Sequence, residues 1–392
     1  MLTVPVTELA ARINKFQKEM AARDIAGALI LQNIDMYYFV GRIWPAYLFI
    51  PTEGSPVLLN RHRGEIAVPW QVVKLDNLNK LAGILQDFGL PASGSIGLEQ
   101  DILPVMVWQR LQKALPGRHF VDIGRLIRKV RAVKSSWEID LMRSHSEKDL
   151  ALWYQAPKII SEVKTDLELA AAFEAKAREM GHQGTLRLRD FNFDSCFVCV
   201  TAGEPGAEIS AYDAPITGTG LTRALPMGAA GTLLKPGQPI YIDYCSCYST
   251  YILDHTRMFA INYLPDQALH AFETSLAIQD KIISLIRPGV SCGELFEQAR
   301  AMAEKAGLID CFMGANGGVP FLGHGVGLEI DELPVLARSS EEVLEESMVI
   351  AAEPKFALAG VGAVGIENTF LVTKHGVERL TTAPDDLVVI NK

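Results

Sequence analysis

The chain has 392 residues, 49% apolar and 21% charged, which excludes a disordered composition and is enough for two or three domains of about 150 residues each. A net charge of -9 and a pI near 5.5, with no basic stripe, exclude an ordinary nucleic-acid binder and suit a peptide or small-molecule substrate. No apolar run approaches the roughly 18 residues of a membrane helix. Glu8 and Arg12 interrupt the N-terminus where a signal peptide needs its apolar core, so the expected location is the cytoplasm.

In chain order, residues 5–23 pattern as an amphipathic helix, followed by a strand from Gly27 to Leu31. Met36–Val40 and Tyr47–Ile50 read as two further strands, and Thr52-Glu53-Gly54-Ser55 as the turn before Pro56–Leu59. Strands alternate with helical segments to about residue 130, an α/β pattern. Ser135 and Glu138 then form a capping-box pattern, and Ile139, Met142, Leu150 and Trp153 share one helical face. The domain boundary is expected just before this helix, giving residues 1–133 and 134–392.

In the second part, Thr165 with Glu168 opens a helix ending at Gly181, and Ser291 with Glu294 opens one ending at Gly307. Leu269, Phe272, Leu276 and Ile283 stripe a helix that stops at Pro288-Gly289. Strand-like runs at 196–201, 239–245, 251–261, 347–353 and 364–372, with helices grouped between them, predict an α+β domain with helices covering a curved sheet. Two motifs are set aside. Cys196 and Cys199 form a lone C-x-x-C without the second pair a zinc site needs, and read as buried strand cysteines. Gly360 to Gly365 matches G-x-G-x-x-G, but a strand follows where a dinucleotide site needs a helix, so a glycine-rich β-turn is expected.

The chemistry-bearing residues lie in the second part. Asp243 and Asp254 flank a turn near Tyr248 and Ser249, and a tight, unbulged hairpin there would set them directly opposite each other. Carboxylates that close repel unless a cation lies between them. Asp254 has an alternative, an ion pair with Arg257. His324 sits between Gly323 and Gly325, which permits close backbone approach and leaves the imidazole reachable. Glu353 ends the apolar run Met348–Ala352, and Glu367 lies inside the strand-like VGIENTFLV. A carboxylate in an apolar strand is costly unless paired or metal-bound. Four carboxylates and one imidazole suit two hard or borderline divalent ions: manganese first, then cobalt, iron or zinc. Two such ions about 3.5–4 Å apart can share a bridging water, bring its pKa down to about 7 and use the hydroxide on a carbonyl.

These residues resemble the pita-bread-fold metallopeptidases: prolidase, aminopeptidase P, methionine aminopeptidase and the related creatinase. The resemblance spans the chain, with a creatinase-type N-terminal domain followed by a pita-bread catalytic domain. It rests on the Asp243–Asp254 spacing followed by Thr256-Arg257, on G-H-G-x-G-L-E at Gly323–Glu329, on Glu353 before proline, and on the segment that Glu367 begins. It implies a Xaa-Pro dipeptidase or aminopeptidase, with Asp254 and Glu367 bridging the metals and Glu353 also shuttling a proton. A homodimer is implied in the same way.

Two departures stand out. Asp331 occupies the place of a second histidine, seven residues after His324, and the stretch 202–215 carries none of the family's other histidine. A protonated Asp331 would donate a proton in place of imidazole, or an ionised one would select a cationic substrate. His182, His255, Arg187 and Arg189 are candidates to replace the lost contacts, each with a structural reading beside it. The departures keep two alternatives open: non-peptide C–N hydrolysis or a lyase reaction on the same scaffold, and a binding homologue without turnover.

Overall fold

A computed structural model of the protein describes residues 3–192 and 194–392. The chain divides into two compact units, residues 1–131 and 132–392. Among the described residues no helix is long and apolar enough to cross a membrane.

The first unit is a six-stranded mixed sheet. Its order is Gln71–Lys74, Val57–Asn60, Ala46–Pro51, Ile25–Ile30, Ser95–Leu98, His119–Asp122. Val6–Ala21 is the amphipathic helix, burying Leu9, Ile13, Phe16 and Met20 at the helical spacing of three and four. The strand expected at Met36–Val40 is instead the end of a helix, Asn33–Val40. The Gln32 side chain accepts from the backbone of Ile34 and Asp35 at its start, and Gly41, with φ of 79°, closes it. A short apolar run fits a buried strand and a buried helix equally well, and here the two caps decide.

In the second unit, the capping boxes at Ser135/Glu138 and Thr165/Glu168 are both formed reciprocally. At Ser291 the side chain caps the Glu294 N–H. The stretch after Ser135 is not one helix but three: Ser136–Arg143, Ser146–Trp153 and Ala156–Glu162. Pro157 stands in the first turn of the third, the one place in a helix where its missing N–H costs nothing.

Two antiparallel systems meet in this unit. One sheet runs Val198–Ala202, Pro239–Ser246, Leu253–Ile261, with Val388–Ile390 added in parallel. The other runs Glu332–Ala337, Phe321–Gly325, Val349–Ala352, Asn368–Thr373, Gly376–Arg379. Between them lies the hairpin of Lys355–Leu358 and Gly362–Gly365, so the Gly360–Gly365 motif is the expected glycine-rich turn. Thr256 N–H donates to the Glu367 carbonyl at 3.3 Å, and Asp254 N–H donates to Thr369 Oγ1 at 2.9 Å, stitching the two sheets.

Strand alternation gives this unit two cores. Ile240, Ile242, Tyr244, Phe259 and Ile261 face the helices that carry Trp153, Ile160, Leu169 and Phe173. Tyr241, Met258 and Ala260, on the opposite face, pack with Asp266–Leu285 and Cys292–Lys305 through Phe272, Ile282, Leu295 and Phe296. Because side chains alternate along a strand, Asp243, Cys245, Asp254 and Thr256 share the face of Tyr241 and Met258.

Thr165→Ala removes the side-chain acceptor for the Glu168 N–H and should lower stability by about 1 kcal/mol, read as a lower urea midpoint with an unchanged slope.

Candidate metal centre

The aspartate hairpin is offset from the tight turn that the sequence suggests. Asp243 pairs with Thr256, and Asp254 pairs with Cys245. The connection is longer than two residues, with Thr250 at φ of 94°, and the register moves by two. A shift of two preserves the face, so the aspartates are diagonal neighbours on one side of the sheet rather than directly opposed. Each has local donors. Tyr241 Oη donates to Asp243 Oδ2 at 2.8 Å, and Cys245 Sγ lies 3.3 Å from Asp254 Oδ1.

Arg257 does not pair with Asp254. Its guanidinium donates to the carbonyls of Thr256, Glu367, Ala383 and Pro384 and to Asn368 Oδ1, holding the seam between the sheets.

The second sheet brings the other three residues. His324 pairs with Ala351 in one neighbouring strand and Val335 in the other. A side chain at Gly323 would strike the Ala351 carbonyl, and one at Gly325 the Leu333 carbonyl, so the glycines flanking His324 are required by strand packing. His324 Nδ1 lies 3.1 Å from the Gly325 carbonyl and must therefore be the donor there. That leaves the Nε2 lone pair facing Glu353 Oε1 at 3.6 Å and Asp254 Oδ2 at 4.0 Å. These separations are too long for hydrogen bonds and leave room between donor atoms. Ligand atoms of Asp254, His324 and Glu367 all fall within 4.8 Å of one another. Thr256 Oγ1 donates to Glu367 Oε2 at 3.0 Å, while Glu367 Oε1 is buried with no hydrogen-bond partner among the described residues.

Burial makes this cluster costly. Asp254, Glu353 and Glu367 are between 1% and 5% exposed. Burial, reinforced by Asp243, pushes the Asp254 carboxyl up to about 7, and burial together with Asp254 raises Glu367 well above the carboxylate range. Cations relieve such a site, and one is already present. Lys355 Nζ lies 2.9 Å from Asp243 Oδ2, 2.7 Å from Glu353 Oε2 and 2.8 Å from Glu367 Oε2. Burial pulls its ammonium down, but the three carboxylates outweigh this and raise it. Sequence reasoning missed this residue, although the signal was available: a lysine between Glu353-Pro354 and the apolar run Phe356–Leu358 needs partners for the same reason the glutamates do.

The cysteine expectation needs correction. Cys196 precedes the strand and Cys199 lies in it, and both are half-buried rather than buried. Cys199 Sγ donates to the Thr217 carbonyl at 3.5 Å, and Cys199 sits opposite Asp243 across the sheet. Cys245, deeper in, is held protonated by burial and then by Asp254.

Of the residues considered for substrate contact, Asp331 accepts from the Arg189 backbone N–H at 3.4 Å, and Ile330 N–H donates to the Arg187 carbonyl at 3.0 Å. The segment bearing both arginines thus lies along the loop bearing Asp331. His182 is otherwise engaged: Nδ1 accepts from Gly184 N–H, Nε2 faces the Cys245 carbonyl, and the ring stacks on Phe197. His255 is packed between Trp153 and Tyr244.

A model for metallopeptidase family M24 matches residues 140–374, well over half of the chain. The chain belongs to metallopeptidase family M24. A creatinase/prolidase N-terminal domain model matches residues 12–133. A Xaa-Pro dipeptidase from Pyrococcus horikoshii is 28% identical over 380 residues, covering 96% of this chain and 98% of its own. Among solved structures, a dipeptidase PepE from Mycobacterium ulcerans superposes with a TM-score of 0.81 at 21% identity, over all of both chains. A Xaa-Pro dipeptidase from Bacillus anthracis gives 0.79 at 22%, over 97% of this chain and 100% of its own. The architecture is therefore that of the M24 proteins: a creatinase-type N-terminal domain and a pita-bread catalytic domain. The family implies a divalent metal. The oxygen and imidazole donors around the unpartnered Glu367 Oε1 fit such an ion, whereas the oxygens facing Lys355 are already engaged by an ammonium.

One buried imidazole lies away from these donors. His145, hydrogen-bonded to Ser249 Oγ at 2.6 Å, is lowered to about 4 by burial and then by Lys148. Its folded pKa lies below the ordinary 6.5, so its neutral form contributes stability above about 6.5 that is lost as pH falls toward about 4. Denaturation of wild type and His145→Gln across this window should show the wild type losing stability faster. Parallel curves would contradict the assignment.

Proposed function

We propose that the protein is a divalent-metal-dependent Xaa-Pro peptidase, a dipeptidase or aminopeptidase, with Asp243, Asp254, His324, Glu353 and Glu367 as its metal-binding set. One observation carries the reading: in an M24 chain, the buried carboxylates of two sheets converge on the free Nε2 of His324. A bound divalent ion would polarise the scissile carbonyl and acidify a water at this site. Asp254 and Glu367 supply the central oxygens. Tyr241, Cys245 and Thr256 fix the carboxylate rotamers by hydrogen bonds, which limits reorganisation when substrate binds. Glu353, whose Oε1 is the oxygen not taken by Lys355, is assigned the role of accepting and returning a proton. Asp331, on the loop beside Arg189, is assigned the proton-donor or substrate-selecting role that an imidazole would otherwise fill.

Manganese is the preferred ion for an oxygen-rich shell with one imidazole. Four carboxylates taken alone match two divalent ions, and Lys355 bears on that count. The same reading takes the protein as a cytoplasmic homodimer, which light scattering on the purified chain checks for assembly.

A second reading rests on Asp331. Its carboxyl is tied to the Arg189 backbone where the peptidase pattern has a histidine, which suits C–N hydrolysis of a non-peptide molecule or a lyase reaction. The deciding experiment offers chelated protein a panel of Xaa-Pro dipeptides and longer peptides, before and after manganese, cobalt or zinc. Metal-restored cleavage supports the peptidase; tight metal binding without cleavage of any peptide moves the assignment to the small-molecule reaction.

Asp254→Asn and Glu367→Gln should each lower kcat/KM on the order of 10²-fold or more and reduce bound metal. Full activity with retained metal in both would defeat the site. Asp331→His should raise Xaa-Pro hydrolysis on the order of 10²-fold, the lower end for a positioned proton donor. No gain would assign substrate choice to other pocket residues.

A further inference from the structure

The mechanism above uses the carboxylates and His324 but not the lysine among them. Lys355 is buried, and its ammonium has three N–H donors. Asp243 Oδ2, Glu353 Oε2 and Glu367 Oε2, at 2.7–2.9 Å, account for all three. The placement is built into the backbone. Glu353 and Lys355 are two residues apart in extended chain, so they present side chains to the same face. The pairing of Lys355 with Gly365 in the hairpin fixes its strand, and a Cβ at Gly365 would come within 2.8 Å of Lys355 Cγ. Glycine there leaves the channel for the lysine stem. Nζ also lies 5.7 Å from the centroid of the Tyr241 ring.

The cluster thus has two unlike sides. On the Asp243 side the ammonium engages Asp243 Oδ2, Glu353 Oε2 and Glu367 Oε2, and Asp243, Cys245 and Asp254 bring further donor atoms within 4.8 Å of one another. On the His324 side the Nε2 lone pair, Glu353 Oε1, Asp254 Oδ2 and the unpartnered Glu367 Oε1 surround a gap. Glu353 and Glu367 divide their oxygens between the two sides. An ion on the Asp243 side would compete with the ammonium for Asp243 Oδ2 and Glu367 Oε2, and would have to displace a cation whose stem is held in the hairpin.

We propose that Lys355 is a built-in cation standing where a second divalent ion would otherwise sit, so that each chain takes up one divalent ion, on the His324 side. This rests on the metal-centre reading above. It makes the centre mononuclear, with the ammonium supplying the charge and orienting contacts to Asp243, Glu353 and Glu367 that a second metal would supply.

The test is metal counting on the full chain. Wild type, Lys355→Gly and Lys355→Met are stripped with chelator, reloaded with manganese, desalted and measured for manganese per chain by mass spectrometry and by electron paramagnetic resonance. Lys355→Met keeps the stem's bulk if the glycine variant does not fold. One manganese per wild-type chain with an uncoupled six-line spectrum, rising toward two with exchange-coupled signals in either variant, supports the proposal. Two per wild-type chain overturns it, as does one in all three proteins or none in wild type with two in a variant. No manganese in any of the three overturns the metal-centre reading itself, an outcome distinct from the others.

Discussion

Carboxylates cannot be buried together without positive charge, and the second unit is organised around that constraint. Asp243, Asp254, Glu353 and Glu367 come from two sheets and converge where water is largely excluded. In a low-dielectric site their mutual repulsion and lost hydration favour protonation, as the raised Asp254 and Glu367 show. Lys355 answers part of this, while beside His324 the Glu367 Oε1 atom stays buried without a hydrogen-bond partner among the described residues. The ammonium held among three carboxylates distinguishes this cluster from one made of carboxylates and imidazole alone.

The scaffold holds the cluster through a narrow seam. Glu367 is both an acid of the site and the residue whose carbonyl receives Thr256 N–H between the sheets. Arg257, next in sequence to Thr256, clamps the same carbonyl and the 383–384 backbone. The site face and the two apolar faces are fixed together, because residues 240, 242 and 244 pack against one helical layer while 241, 243 and 245 point the other way. A register slip of one would exchange core and site residues, so core burial protects the geometry of the acids.

Much of this is readable residue by residue. The capping boxes at Ser135 and Thr165 and the glycine turn at Gly360–Gly365 are local patterns of type and spacing, and the fold follows them; of the five candidate residues, the fold brings ligand atoms of Asp254, His324 and Glu367 within 4.8 Å of one another. Failures occur where a local signal is ambiguous. Met36–Val40 is apolar without a period that separates helix from strand. The helical stripe from Ile139 to Trp153 continues in pattern although the backbone breaks between Arg143 and Ser146. Lys355 carries a local signal only as a charge beside an apolar run, and which carboxylates it meets depends on how separate strands come together.

By itself, then, the sequence determined which residues alternate to one face, where helices start, and that costly charges sit in apolar strands, because these depend on backbone periodicity and nearest neighbours. Only the tertiary structure decided the two-residue offset that sets Asp243 and Asp254 on a diagonal, the meeting of Glu353 and Glu367 with the aspartate strands, and the insertion of Lys355 among three carboxylates. The first depends on how the hairpin connection folds, and the others on how two sheets join, which is settled by packing between segments more than 100 residues apart in the chain.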